Sequence, residues 1–401
     1  MTVKELRSHF PQLGRTVYGK PLVYLDNAAT SLRPNETIDK WTEISANKTA
    51  NLHRAVHHIA NEATEEYEET RKTVAKFINT ADNKEVIFTS GATHSLNLAA
   101  FTLGEAIIKQ GDEIIVGEAE HHSNIVPWQM VCKRKGATLK RLPIDESGAL
   151  RLDLLKDLVS PKTKILSITH VSNVLGLVNP IEELAETCHR NGVVLIVDGA
   201  QGIVHQHVDV QALGCDLYAF SGHKMYAATG TGVLWGRKDI LEQLPPMFGG
   251  GEMIDTVQWE ESTWAPLPQK FEAGTQNISG TPTLSPAIEL IKQMPENEEV
   301  KEYVYKELTK DPEIRLYGTT SKLEQKVPVF SFTVEGAHHE DLALLLDKMG
   351  IAVRSGQMCA EPLMDRYGVT GMLRASFAPY NTMQEAEYFV TSLHKAIRML
   401  K

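Results

Sequence analysis

Short apolar runs that alternate with amphipathic segments are the feature that most limits the folds open to this chain of 401 residues. The runs occupy residues 85–89, 113–116, 164–169, 193–197 and 217–220. Each run is apolar on both faces, which is typical of strands in a parallel sheet that has helices on both sides. The pattern therefore predicts an α/β fold built on a mainly parallel sheet.

The sequence beyond these runs indicates a second, smaller domain. Residues 61–78 carry apolar side chains on one helical face and predict an amphipathic helix of the sheet domain. From about 244 to 286 the chain is rich in Gly, Pro, Trp and Thr without periodicity, and so long an irregular stretch is typically functional. Strands are then predicted at 327–334 and 352–354, followed by a closing helix at 383–400.

We predict three parts along the chain. Residues 1–25 form an N-terminal segment that packs with the small domain. Residues 26–280 form the large domain, and residues 281–401 form the smaller α+β domain. At roughly 150 residues per domain, the chain is long enough for two such units.

Composition and charge exclude several classes of protein. The 41 Lys and Arg against 51 Asp and Glu give a net charge of −10, whereas a nucleic-acid binder would need a clustered basic face. No stretch approaches the ~20 apolar residues that cross a bilayer, so we expect no membrane association. The four cysteines form no C-x-x-C pair, which excludes a zinc ribbon or a dithiol centre. This cysteine usage indicates a reducing compartment, and we predict the cytoplasm.

An aspartate and a lysine follow two neighbouring strands of the predicted sheet. Asp198 ends the run 193–197, where α/β sheets place their ligands, although such an aspartate can also cap a helix or close a turn. Lys224 lies 26 residues later, in the motif SGHK after the next strand, where an ordinary surface lysine is the alternative. Pyridoxal phosphate requires such a pair, because the amine holds the cofactor covalently and the carboxylate keeps its pyridine nitrogen protonated.

Two further motifs could serve such a cofactor. The turn SGAT at 90–93 follows a strand and opens a helix, so its backbone N–H groups and the Thr93 hydroxyl could bind a phosphate. It matches neither the dinucleotide nor the P-loop pattern. His121, in the motif EHHSN, could stack on a planar ring. Adjacent histidines point in different directions, so we predict no metal site.

A cysteine and two arginines occur near the end of the chain. Cys359 lies in RSGQMCA, where the neighbouring Arg354 would favour the nucleophilic thiolate. The alternative is a buried structural thiol, which is our interpretation of the other three cysteines. Arg374 lies in an apolar strand-like stretch, where a bidentate carboxylate partner would explain its burial.

Taken together, these motifs resemble those of SUF-type (group II) cysteine desulfurases, which are related to class V aminotransferases. The matching stretches follow the family order and are YLDNAAT (24–30), NLHRAVH (51–57), EHHSNIVPWQM (120–130), THVSNVLG (169–176), VDGAQG (197–202), FSGHKMY (220–226), FGGGEMI (248–254), FEAGT (271–275), RSGQMCA (354–360) and LRASFAPYNT (373–382). The resemblance implies a pyridoxal-phosphate-dependent transferase of fold type I. Its large domain would bind the cofactor, and its small domain would carry the catalytic cysteine.

The resemblance also implies a role for each candidate residue. The catalytic residues would be Lys224 as the cofactor-bearing lysine, His121 as the ring-stacking residue and Cys359 as the sulfur-accepting nucleophile. The other cofactor contacts would come from Ala92, Thr93, Asn173, Asp198, Gln201, Ser221 and His223, with Thr275 reaching the cofactor of a neighbouring chain in a homodimer. The substrate would be bound by His53, Asn173, Arg354 and Arg374.

The implied activity is the conversion of L-cysteine to L-alanine and a persulfide on the enzyme. The sulfur would pass to an acceptor protein of the SufE or SufU kind for iron–sulfur cluster assembly. One alternative is a selenocysteine lyase or another class V pyridoxal-phosphate enzyme. A second, non-enzymatic alternative is a cofactor-bound scaffold for a sulfur-carrier protein.

Overall fold

A seven-stranded sheet forms the centre of the computed structural model, which describes the whole chain from Met1 to Lys401. The strands of the chain are β1 (Thr16–Val17), β2 (Lys20–Pro21), β3 (Val23–Tyr24), β4 (Val86–Thr89), β5 (Glu113–Gly117), β6 (Thr138–Leu142), β7 (Thr163–Thr169), β8 (Val194–Asp198), β9 (Leu217–Ser221), β10 (Gly232–Gly236), β11 (Ile254–Val257), β12 (Ser262–Trp264), β13 (Ile314–Tyr317), β14 (Val329–Val334), β15 (Ile351–Ala352), β16 (Arg354–Gly356) and β17 (Met372–Ser376). The α-helices are α1 (Val3–Ser8), α2 (Asn35–Asn47), α3 (His58–Phe77), α4 (Ala92–Ile107), α5 (Val126–Lys135), α6 (Leu152–Leu158), α7 (Ile181–Arg190), α8 (Gly202–His205), α9 (Val210–Leu213), α10 (Lys238–Leu241), α11 (Leu284–Ile291), α12 (Glu298–Lys310), α13 (His339–Lys348), α14 (Glu361–Tyr367) and α15 (Met383–Leu400).

The central sheet has the strand order β4-β10-β9-β8-β7-β5-β6. Strands β9, β8, β7, β5 and β6 pair in parallel. Only β10 runs antiparallel to its two neighbours, β4 and β9. The predicted α/β fold with a mainly parallel sheet is therefore confirmed. The carboxyl ends of six strands meet at one edge, where a parallel sheet positions ligands.

Successive side chains of the central strands enter two different cores. In β9, Leu217 and Ala219 belong to a core that includes buried residues of α4 and α5. Tyr218 and Phe220 point to the opposite face and pack in a core with α3 and α7. This alternation explains why the strand is apolar throughout in the sequence.

A smaller antiparallel sheet, in the order β13-β14-β17-β16, has its own core. Phe330 and Phe332 of β14 and Leu373 of β17 pack there against Phe389 and Leu393 of α15. The predicted closing helix has the observed bounds of α15. Helix α14 packs elsewhere, because its residues join a cluster with large-domain loop residues such as Val174 and Leu175.

The N-terminal segment contributes residues to both cores, and the start of the predicted small domain packs in the core of the large one. Leu6 and Phe10 pack in the core of the large domain, whereas β3 pairs in parallel with β15 and places Val23 in the small-domain core. Helix α11 packs on α2 and α3, and its buried residues belong to the large-domain core. The change from one core to the other thus falls between α11 and α12.

Two local predictions need correction. The stretch 244–286, expected to be irregular, contains the hairpin β11–β12 and the first residues of α11. The predicted strand 352–354 is two strands in different sheets, since β15 pairs with β3 and β16 pairs with β17. No helix in the structure combines the length and apolar character needed to span a bilayer.

Candidate active site

A cavity of about 240 Å³ opens at the carboxyl edge of the central sheet. Its lining residues are Ala28, Ala29, Ala92, Thr93, His121, Ser123, Thr169, Val171, Asn173, Asp198, Ala200, Gln201, Ser221, His223, Lys224, Arg354, Met358, Cys359 and Arg374. The large domain supplies most of them, and the small domain closes one side with residues from β16, the following loop and β17. The cavity therefore depends on both domains.

One corner of the cavity is built for an anion. Helix α4 starts at Ala92 behind Gly91, whose φ of +146° is a conformation that residues with a side chain rarely adopt. The Ala92 N–H donates to Ser221 Oγ over 2.8 Å. The Ser221 hydroxyl hydrogen is thus free to donate into the cavity, next to the first-turn N–H groups of α4 and the exposed Thr93 hydroxyl.

Lys224 and Asp198 influence each other across the cavity. Asp198 is the last residue of β8, and its Oδ1 accepts a hydrogen bond from Ala200 N at 3.0 Å. Burial raises the pKa of the Asp198 carboxyl, and the positive charge of Lys224 opposes this shift. Burial lowers the pKa of the Lys224 amine, and Asp198 opposes that shift in turn. The amine is therefore more readily available as a nucleophile or base than a surface lysine.

A short turn presents Lys224 to the cavity. β9 leads into a 3₁₀ turn at Gly222–Lys224, and Gly222 allows close packing because a Cβ there would lie 2.1 Å from Thr231 Oγ1. His223 lies beside the lysine and contacts Thr30 Oγ1 through Nδ1 at 3.1 Å. Burial, followed by the charge of Lys224, lowers the pKa of His223 to about 4. His223 is therefore neutral at physiological pH.

His121 is held by the residue two positions later. Its Nδ1 lies 3.1 Å from the Ser123 N–H, which donates to it, and 2.7 Å from Ser123 Oγ. Because Nδ1 accepts from a backbone N–H, the proton of the neutral ring is on Nε2. Burial, with a smaller effect from Lys224, lowers the pKa of His121 to about 4. A neutral ring is thus fixed at the cavity wall.

Two amide side chains complete the large-domain part of the cavity. Gln201 donates from Nε2 to the carbonyl of Ala28 at 2.7 Å. Asn173 donates from Nδ2 to the carbonyl of Met358 at 2.9 Å, which ties the large domain to the loop that carries Cys359. Both side chains are buried, so their orientation is set by these bonds.

Arg374 and Arg354 form the small-domain wall. Arg374 is buried, and it donates to the Asn173 carbonyl at 3.0 Å and to Asp26 Oδ1 at 3.2 Å. Its Nε is buried without a hydrogen-bond partner. Arg354 is half exposed and lies 3.9 Å from Asp26. Because Arg374 also lines the cavity, its guanidinium could bind an anionic group there.

Cys359 is the exposed thiol of the chain, and it lines the cavity. Cys132, Cys188 and Cys215 are buried, which confirms their interpretation as structural thiols. Burial raises the pKa of Cys188 to about 12, so this thiol is inert at neutral pH. Cys359 is therefore the one cysteine whose side chain is open to the cavity.

Two predicted site residues lie outside this cavity. His53 is flanked by carboxylates instead, with Nε2 at 3.0 Å from Glu68 Oε1 and Nδ1 at 2.9 Å from Glu252 Oε1. His53 does not line the cavity of its own chain, and its role in substrate binding stays a prediction. Thr275 is exposed on the surface and does not line the cavity of its own chain, so its contact with a neighbouring cofactor stays a prediction. No cluster of three or more His, Cys, Asp or Glu side chains in the structure could hold a metal ion.

Several cavity residues were not among the predicted ones. The missed lining residues are Ala28, Ala29, Ser123, Thr169, Val171, Ala200 and Met358. Ser123 lies in the same motif as His121, so its spacing of two residues was a usable signal. Asp26, which pairs with Arg374, lies in the motif YLDNAAT but is separated from Arg374 by most of the chain. Sequence separation of that kind hides a contact from local pattern analysis.

Comparison with known proteins identifies the family of this chain. Residues 23–389 match the family Aminotransferase class-V. A cysteine desulfurase from Escherichia coli O7:K1 is 42% identical over 406 residues, which cover 100% of this chain and 99% of that protein. A probable cysteine desulfurase from Xylella fastidiosa (strain Temecula1) is 44% identical over 403 residues, which cover 99% of this chain and 96% of that protein. The solved structure of the cysteine desulfurase CsdA from Escherichia coli, in an S-sulfonic acid form, has a TM-score of 0.91 at 37% identity, with 100% of both chains covered.

This chain belongs to the class-V aminotransferase family. The resemblance to cysteine desulfurases predicted from the sequence is confirmed by these relatives, as is the predicted transferase fold. The family consists of pyridoxal-phosphate enzymes, and the residues of the cavity fit that cofactor. Anion-binding donors lie at the ends of β4 and β9, a carboxylate ends β8, and Lys224 lies between them in the same cavity.

Proposed function

We propose that this protein is a pyridoxal-phosphate-dependent cysteine desulfurase that releases L-alanine and keeps the sulfur as a persulfide on Cys359. The observation that carries the proposal is the lining of one cavity by an exposed thiol, a lysine amine, a strand-end carboxylate and a buried arginine. The relatives named cysteine desulfurase support this reading over the full length of the chain.

The large-domain residues of the cavity would hold the cofactor. Lys224 would bind it covalently, Asp198 would keep the proton on its pyridine nitrogen, and His121 would pack on its ring. The donors for its phosphate would be Ala92, Thr93, Ser221 and His223, while Asn173 and Gln201 would hydrogen-bond near the ring. When bound, pyridoxal phosphate supplies an electron sink for a carbanion at the substrate α-carbon.

The remaining residues would act on the substrate. Arg374 would bind the carboxylate of L-cysteine, with Arg354 directly opposite it on the neighbouring strand. The released Lys224 amine would move the α-proton, since burial lowers its pKa and so leaves more of it in the unprotonated form that can accept a proton.

Sulfur transfer would take place at Cys359. Its thiolate attacks the substrate sulfur, so that an S–S bond forms and the bond between the substrate sulfur and its β-carbon breaks. The electron pair of the broken bond stays with the carbon, which takes up a proton and becomes the methyl group of alanine. The Cys359 sulfur is oxidised to the persulfide as the carbon is reduced, so no other redox partner is needed.

We further propose that the working form is a homodimer. The hairpin β11–β12 and its surroundings expose large apolar side chains, among them Val257 and Trp264 and the fully exposed Trp259 and Val56. Isolated apolar residues are ordinary on a surface, but a concentration of this size is typical of an interface. Thr275 follows this hairpin, and it would reach the neighbouring cofactor from there.

The destination of the sulfur is the last part of the proposal. Cys359 is exposed at the cavity mouth, where a persulfide could be taken up by an acceptor protein of the SufE or SufU kind. This acceptor would feed iron–sulfur cluster assembly by the SUF route in the cytoplasm.

The proposed activity is tested by mixing the purified holoprotein with L-cysteine and dithiothreitol. Alanine and sulfide should form in equal amounts, and a persulfide should be found on the peptide that contains Cys359 when the reductant is omitted. Formation of pyruvate and ammonia in place of alanine, or turnover of selenocysteine alone, would contradict the proposal.

A further inference from the structure

The loop that carries Cys359 has an unusual backbone. Met358 and Cys359 are consecutive, and each has a φ of +55°. Residues with a side chain rarely adopt this left-handed conformation, because Cβ comes close to the following carbonyl oxygen. The loop therefore keeps this shape only where its surroundings hold it.

His122 holds the loop on both sides of the thiol. Its backbone N–H donates to the carbonyl oxygen of Cys359 over 2.8 Å. Its side-chain Nε2 accepts the backbone N–H of Glu361 over 2.9 Å, and Glu361 is the first residue of α14. Cys359 thus lies between two hydrogen bonds to the same large-domain residue. Asn173 adds a third bond, to the carbonyl of Met358.

The adjacent histidines have separate tasks in this arrangement. His121 faces the cavity and directs Nδ1 to Ser123, whereas His122 does not line the cavity. The two ring centroids are 6.2 Å apart and the rings are inclined by 49°. His122 therefore acts on the reaction only through the loop.

We propose that His122 is a positioning residue for Cys359, which it fixes in the left-handed loop by capping the first N–H of α14 and by bonding the Cys359 carbonyl. This inference rests on the proposed role of Cys359 as the sulfur acceptor. The side-chain bond requires an Nε2 lone pair, so the neutral ring carries its proton on Nδ1. Removal of the imidazole leaves the backbone bond in place but frees the start of α14.

The test uses His122→Ala and His122→Gln, because the amide oxygen of glutamine can accept at nearly the place of Nε2. The first readout is the single-turnover rate of persulfide formation on Cys359 in the holoenzyme. We expect His122→Ala to lower it by up to about 100-fold through misplacement of the nucleophile. His122→Gln should restore most of the rate, and the cofactor content and KM for L-cysteine should stay unchanged in both variants.

The second readout does not depend on activity. Amide hydrogen exchange across residues 354–364 in the holoprotein should rise by about tenfold in His122→Ala, as expected for the loss of one hydrogen bond, and should return to the wild-type rate in His122→Gln. Gln357→Ala is the matched control, since it removes only an exposed contact of 3.2 Å to the Glu361 side chain on the same loop. We expect this control to behave as the wild type in both measurements.

The outcomes separate this inference from the proposed function. Unchanged exchange and an unchanged persulfide rate in His122→Ala would overturn the positioning role. Loss of cofactor from both variants, without rescue by glutamine, would also overturn it and indicate a general structural role. If the wild-type protein makes no persulfide on Cys359, the proposed function fails, while the exchange measurement still decides whether His122 fixes the loop.

Discussion

Lys224 and Cys359 line the same cavity, yet the backbone beneath them differs. The turn of Lys224 follows a central strand of the large sheet and is held within the large domain, by the bond from Gly222 N–H to Thr231 O at 2.9 Å and by the Ser31 N–H, which donates to the His223 carbonyl at 3.1 Å. Cys359 lies on an exposed loop with two consecutive left-handed residues, each of which costs roughly 1–2 kcal/mol. That loop is held by His122 and Asn173 of the other domain.

This difference separates two requirements of one reaction. The cofactor must stay at a fixed place, and a central sheet provides that place. The nucleophile must reach the substrate sulfur and afterwards present its sulfur to another molecule, and an exposed loop allows both. Changes on the sheet side should therefore stop all chemistry, whereas changes on the loop side should be selective or graded.

Lys224→Ala should have the largest effect. Without the amine, covalent attachment of the cofactor and turnover of every amino-acid substrate should be lost, a fall of several orders of magnitude. Borohydride reduction followed by peptide mapping checks the attachment site, with Lys133→Ala on the exposed surface as the control. A reduced cofactor found on any other lysine in the wild type would show that Lys224 is not the attachment site.

Cys359→Ala should abolish alanine formation from L-cysteine while leaving the covalent attachment of the cofactor intact. A substantial part of any activity toward selenocysteine should remain, because a selenol is a better leaving group than a thiol. Parallel assays of alanine release from both substrates check this, and Cys132→Ala is the control. Equal losses on both substrates would show that the loop closes the site rather than accepting sulfur.

Asp198→Asn should lower the rate of alanine formation by about 10²- to 10³-fold, as expected when one preorganised electrostatic partner is removed. The neutral amide does not stabilise a protonated pyridine nitrogen, but cofactor should still bind. Steady-state kinetics of cofactor-loaded protein provide the measurement. Asp209→Asn makes the same chemical change at the cap of α9 and should have no effect. Near-normal activity of Asp198→Asn would contradict its assignment.

Complementation between two inactive variants tests whether Thr275 of one chain serves the cavity of its neighbour. Lys224→Ala and Thr275→Arg should each be inactive, and after mixing and re-dimerisation they should recover about one quarter of wild-type activity, because half of the dimers contain one intact site. Sedimentation velocity should show a dimer throughout. Full activity of a demonstrably monomeric protein would exclude a role of Thr275 in a neighbouring site.

The smallest effect concerns the buried lysine Lys326, which does not line the active-site cavity. Its Nζ donates to the Leu175 carbonyl at 2.6 Å, and burial, with a smaller effect of Lys301, lowers its pKa from 10.5 to about 7. Between pH 7 and 10 the unfolded chain binds more protons at this residue, so the free energy of unfolding should rise with pH. Lys326→Met should flatten that rise in urea unfolding of the holoprotein. Parallel profiles of variant and wild type would refute the shifted pKa.

The sequence contained enough to predict five strands of the large sheet, but neither the edge strand β6 nor the antiparallel strand β10 was predicted. β5, β7, β8 and β9 are apolar on both faces, and all four were predicted within a residue or two. β10 was not predicted because its five residues begin and end with glycine, which weakens a strand pattern. Its direction depends on pairing with β4 and β9, which no local pattern contains.

The residues of the candidate site also fall into those that a local sequence pattern predicts and those that depend on contacts distant in the chain. Asp198, Lys224 and Thr93 follow strands directly, so the rule that parallel strands end at one edge brings them together. The role of His122 could not be predicted, because it depends on a loop about 240 residues away in the chain and on the docking of two domains. His53 lies between two carboxylates outside the cavity of its own chain, so its part in substrate binding stays a prediction.

The pairing of β16 with β17 places Arg354 directly opposite Arg374. Like charges across an antiparallel pair are unfavourable, and Asp26 is the one carboxylate that lies near both guanidinium groups. This small cluster keeps a surplus positive charge at the cavity mouth, which attracts an incoming amino-acid carboxylate before contact. Capture of L-cysteine should accordingly become slower as ionic strength rises and the Debye length falls below the roughly 10 Å found at 0.1 M salt.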